Sequence, residues 1–176
     1  MSDLFAITYD DQASGQQAFA SLSELQKMKV LTLEDAALAY KNDKGKVKVK
    51  QTLEKQHTGT VASWGFFWGF LIGLIFGGPL FWGLFTALLG ALFSKSTDLG
   101  IDNKFIKDVG ESLDPGGSAL FMLVVDATPD KVLPELEKFG GHVYRTSLSK
   151  DDEEKLRKVL EHDDVKEAVG DNLDIE

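Results

Sequence analysis

The residues able to do chemistry are few in this chain, and they do not converge. His57, His142 and His162 fall in three separate segments. A zinc or iron pair wants two ligands on one helix face or strand, and no two of these have such spacing. They read as surface or linker residues. His57 precedes the most apolar part of the chain, where its charge could respond to pH near a membrane surface. There is no cysteine, which excludes disulfides, thiolate metal sites and a cysteine nucleophile. Asp10-Asp11, Asp151-Asp152-Glu153-Glu154 and Asp163-Asp164 could attract cations, but adjacent acids of this kind are usual as helix caps and solvated faces. Gly116-Gly117-Ser118 leads into a strand pattern instead of a helix, so it is not a phosphate-binding loop. No serine, histidine and acid set can be nominated. We therefore expect no catalytic residue, no metal and no cofactor, and we identify no small-molecule substrate. The net charge of −9 argues against a nucleic-acid partner.

The chain is organised instead around Val61–Ser94, a run without a single charged residue. It exceeds the roughly 20 residues of a membrane-spanning helix. One straight helix through it would be about 50 Å long, too long for a bilayer core. Gly77-Gly78-Pro79 divides it: a glycine ends the first helix, and proline suits the first turn of the next. The expectation is a helical hairpin with arms of about 61–76 and 80–94. Gly65, Gly69, Gly73 and Gly77 recur every four residues and form a stripe along the first arm that lets another backbone approach closely. Gly83 and Ala87 give the second arm a weaker small-residue line. The stripe can serve contact between the two arms or between subunits. Trp64 and Trp68 are candidate anchors at a membrane interface.

Around this insert, apolar spacing predicts an ordinary α+β body. Leu4–Tyr9 reads as a strand, and Ala13–Lys29 as an amphipathic helix with Ala18, Phe19, Leu22, Leu25 and Met28 inward. Ala36–Tyr40 and the alternating Lys46–Gln51 read as a β-hairpin turned at 42–45. Ile101, Phe105, Ile106, Val109 and Leu113 mark a helix, and Ala119–Val125 a strand buried on both faces. Thr128 is positioned to cap a helix that Pro129 opens and Pro134 could delay or kink. His142–Leu148 reads as a strand, and 150–162 as a charged helix. LFAITYDDQ and LFMLVVDAT each lead into a helix and then a strand. Two strand–helix–strand units predict a ferredoxin-like sandwich, its antiparallel sheet covered by helices on one face and interrupted by the hairpin. The expected divisions are 1–60, 61–94 and 95–176. If both units share one sheet, a hairpin can return the chain to the same side of a membrane, whereas a single span cannot.

The segments DAALAYKNDKGKVKVKQ, the glycine-striped hairpin and IDNKFIKDVGESLDPGGSALFMLVV, with the helix–strand unit that follows, resemble a bacterial family of predicted membrane proteins of unknown function. That family is similar in layout to general stress proteins with a glycine-rich insert. The resemblance implies membrane association and supplies no catalytic residue. Lys44, Lys46, Lys48, Lys50 and Lys55 precede the insert, and Lys95, Lys104 and Lys107 follow it. Such flanks fit cytoplasmic ends that touch anionic lipid, or equally a solvated strand face protected from edge pairing. The leading expectation is a non-enzymatic homo-oligomer at the cytoplasmic membrane, both termini in the cytoplasm, with self and membrane lipid as partners. The alternatives are a cytoplasmic ring or cage with the hairpins buried between subunits, and a small-ligand sensor using the sheet.

Overall fold

The computed structural model describes residues 2–52, 61–77 and 101–149, together with Gly83, Ala87 and Asp151. In chain order the elements are β1 (Ser2–Tyr9), α1 (Gln12–Lys27), β2 (Leu31–Lys41), β3 (Val47–Thr52), α2 (Val61–Phe76), α3 (Asn103–Ser112), β4 (Ser118–Ala127), α4 (Pro129–Glu137) and β5 (His142–Leu148). The protein is α+β, with one five-stranded sheet in the order β3-β2-β4-β1-β5. Every neighbouring pair is antiparallel. β1 and β2, joined through α1, flank β4; β4 and β5, joined through α4, flank β1. The two strand–helix–strand units are thus interleaved in a single sheet.

Local chemistry accounts for most boundaries. Asp11 caps α1 by accepting from the Ser14 amide at 2.7 Å and the Ser14 hydroxyl at 2.9 Å. This satisfies a free amide of the first turn, so Asp11 is a helix cap. Asn42 closes the β2–β3 turn by accepting from the Lys44 and Lys46 amides. Thr128 precedes α4 without a side-chain cap bond, and Pro134 lies inside that helix, which starts at Pro129. The expected cap and delayed start are therefore absent. Pro129 lacks only an amide that has no intrahelical partner, whereas Pro134, the sixth helical residue, forgoes one i→i−4 hydrogen bond. Met28, expected inward, is 62 % exposed, because α1 has ended one residue earlier.

β2 is longer than its apolar pattern suggested. Its first half, Leu31–Asp35, carries polar residues, yet it pairs with β4 from Leu31↔Ala127 onward. The register shifts between Thr32 and Leu33 and again between Leu33 and Asp35. Such irregularities re-aim side chains relative to regular alternation.

Both faces of the sheet are covered, not one. Ile7, Tyr9, Leu38, Leu120 and Met122 meet Ala18, Leu22 and Leu25 of α1 with Val132 and Leu136 of α4. On the opposite face, Leu4, Ala6, Ala37, Ala39, Ala119, Phe121 and Leu123 meet α2 and α3. The alanines are too small to fill that layer, so bulky residues enter from above: Trp68, Phe70, Leu71, Ile72 and Leu74 are all buried. The first apolar arm is the roof of this second core.

Candidate functional site

The most unusual chemistry in the described structure lies under that roof. Asp35 is only 5 % exposed and sits on the β2 face that carries Ala37 and Ala39. One carboxylate oxygen accepts the Ala36 amide at 2.8 Å, and the other accepts the indole Nε1–H of Trp68 at 2.6 Å. Trp68 is 0 % exposed. Its ring meets Phe67 edge-on at 4.9 Å and Phe121 of β4 at 6.3 Å. Phe76, at the end of the same helix, also meets Phe121, edge-on at 6.4 Å. A buried indole needs an acceptor for its N–H, and a buried carboxylate needs donors; each supplies the other. Burial nevertheless pushes the Asp35 carboxyl above the usual carboxylate range, and the Trp68 and Ala36 donors only partly counter it.

This arrangement joins helix to sheet and holds no reacting pair. No nucleophile or base is hydrogen-bonded to Asp35 among the described residues, and these contain no cluster of three potential metal ligands. Two other buried polar atoms, Thr8 Oγ1 and Tyr9 Oη, make no hydrogen bond among the described residues. Burial raises the Tyr9 phenol above its ordinary value. A recess between the end of α2 and α3 is lined by Leu74, Ile75, Ile106 and Gly110, with Lys107 and Glu111 4.0 Å apart.

The residues expected from the sequence divide between core and surface. Gly65, Gly69 and Gly73 all lie in α2, where Gly69 and Gly73 are buried. Gly77 follows the helix end, is exposed, and its amide donates to Gly73 O at 2.7 Å. Gly83 and Ala87 are both helical and both exposed. Trp68, expected at a membrane interface, is a core residue of this fold, because its indole is matched to Asp35 and its ring to Phe121. Trp64 belongs to α2 and Lys50 to β3; their side chains, like Gly78, Pro79, Lys55, Lys95, His57 and His162, lie outside the described residues. Lys104 pairs with Asp108 at 2.8 Å on the exposed side of α3, which occupies a charge that was a candidate for lipid. His142 opens β5 and is exposed.

A family model described as "Protein of unknown function (DUF1269)" matches residues 62–161. The chain belongs to this family. The DUF1269 stretch takes in α2, α3, β4, α4 and β5, and leaves β1, α1, β2 and β3 outside the match. Trp68 is therefore inside it and Asp35 outside, so their hydrogen bond stitches the DUF1269 stretch to the N-terminal part of the sheet. No curated protein and no solved structure matches the chain.

Two residues missed by sequence reasoning matter most. Asp35 had a signal: it precedes Ala36-Ala37-Leu38-Ala39, a run without alternation, as expected of a strand covered on both faces. Gly110 is the other. A Cβ there would lie 2.9 Å from Ile75 O, so its missing side chain lets α3 approach the α2 backbone.

Proposed function

We propose that this DUF1269 chain is a non-enzymatic, membrane-associated homo-oligomer. It has a ferredoxin-like body, an apolar first arm stored on the sheet and a second arm that presents small residues to another copy. The sheet order β2-β4-β1-β5 and the two interleaved units support the ferredoxin-like reading, with β3 added at one edge. The observation that carries the assembly reading is the outward position of Gly83 and Ala87. They are one helical turn apart, both exposed, and a Cβ at Gly83 would meet nothing within 4 Å. Small residues in such a line allow close helix contact. The uncharged run Val61–Ser94 supports a bilayer as the setting, and the similarity in layout to general stress proteins supports action when that bilayer is challenged.

A second reading, a soluble ring or cage, is favoured by a specific observation. α2 is 16 residues long and its Phe67–Ile75 segment is buried in its own fold. At about 24 Å it is shorter than the ~30 Å hydrocarbon core. No helix among the described residues is long and apolar enough to cross a membrane. Fractionation with a carbonate wash, followed by sizing, separates the two. Retention in washed membranes and release by detergent as a defined oligomer is the expected result. Recovery of a large soluble particle would replace the first reading with the second, and recovery as a soluble monomer would overturn both.

A further inference from the structure

The Asp35–Trp68 contact is a buried polar link between α2 and the sheet, in a layer that also holds Leu4, Ala37, Ala39, Phe121 and Leu123. We propose that it is a proton-operated latch. With its proton, Asp35 is neutral, still accepts from Trp68, and lets α2 sit on the sheet with no charge buried beneath it. Without it, the two N–H bonds strengthen, but a negative charge confined in an apolar layer costs more than they return, and the seat of α2 loosens. α2 then becomes the element that opens first as pH rises.

The surroundings make the charge hard to hold. α2 carries no ionisable residue anywhere from Val61 to Phe76. β4 places Leu123 opposite Asp35, and its own acid, Asp126, is exposed. On β2 the adjacent Glu34 is exposed, on the other side of the pleat. β3 contributes Val49 to the same layer, which turns Lys48 to the opposite face. On α3, Lys104 pairs with Asp108, and Lys107 with Glu111, on its exposed side. Among the described residues no cation faces the carboxylate, so the two N–H donors alone oppose its desolvation. The irregular register at Leu33 and Asp35 sets Asp35 where β2 is least regular, so a local shift there need not disturb the pairing from Ala36 to Tyr40.

The test is amide hydrogen exchange of the intact chain between about pH 4 and 8, corrected for intrinsic rates, comparing peptides of α2 with peptides of β4. In the wild type, α2 protection should fall relative to β4 as pH rises, by at most about tenfold per pH unit because one proton is exchanged. Asp35→Asn should flatten that profile. Trp68→Phe removes a donor that favours the ionised form, so its profile should move to higher pH. Parallel α2 and β4 profiles in the wild type would overturn the latch, as would a pH dependence unchanged in Asp35→Asn. The latch goes beyond the assembly reading and can fail alone: fractionation and oligomer size are read separately from exchange in α2.

Discussion

At the scale of single residues, two carboxylates of this fold answer pH in opposite senses. Asp35 is raised by burial, so the folded state binds its proton more tightly than the unfolded chain does. Its contribution is fully present below the ordinary aspartate value of about 3.9 and is lost as pH rises through the raised folded value. Asp3 is the reverse. Its partial burial is outweighed by hydrogen bonds from Ser147 and Arg145 on β5, which hold its carboxyl below the usual range. That contribution is present above the unfolded value and lost as pH falls through the folded one. Urea midpoints across pH for the wild type, Asp35→Asn and Asp3→Asn should therefore diverge in opposite directions. Subtracting the Asp35→Asn curve should leave a term that grows on acidification; a term that shrinks would refute the burial argument. Asp35→Ala is a harsher change than Asp35→Asn, because it leaves the Trp68 Nε1–H without an acceptor in an apolar layer. It should destabilise by about 1–3 kcal/mol.

At the scale of elements, what was legible followed from periodicity, and what was hidden followed from tertiary contact. The first arm, α1, α3, β4 and β5 all have apolar residues at the spacing their structure requires, so their approximate positions could be read directly. The start of β2 could not, because Thr32, Glu34 and Asp35 break the pattern, and its pairing is decided by β4 alongside. The roof over the second face was hidden for a subtler reason. Ala6, Ala37, Ala39 and Ala119 look like modest strand residues, but together they form a shallow floor that only bulky side chains from another element can fill. The uncharged arm that suggested lipid has the side chains to fill it. The α2–α3 contact gives a direct check on this packing. Gly110→Ala would place a Cβ about 2.9 Å from Ile75 O, and a backbone carbonyl cannot swing away as a side-chain end can. Prising α3 from α2 should cost about 1–3 kcal/mol in chemical denaturation. A neutral substitution would mean that the two helices do not approach as described.

For the whole molecule, the decisive distinction is between glycines that build the fold and small residues that face outward. In the sequence, Gly69 and Gly73 belong to a more regular stripe than Gly83 and Ala87, and spacing alone offers that stripe for close contact between the two arms or between subunits. Burial separates the two sets, since Gly69 and Gly73 are enclosed while Gly83 and Ala87 are exposed. Leucine at Gly69 should strain a closed core and lower stability, with any loss of assembly a consequence of unfolding. Leucine at Gly83 and Ala87 should leave the thermal midpoint nearly unchanged, because the added side chain at Gly83 meets open space. It should reduce particle size in detergent or in buffer, because close helix contact between copies would be blocked. The two variants must be compared by circular dichroism and by light scattering on the same samples. A stable Gly83→Leu/Ala87→Leu protein of undiminished size would remove the outward line as the assembly surface. A Gly69→Leu protein that kept its midpoint but lost its size would return that role to the stripe in α2, and would require α2 to leave the sheet when copies meet.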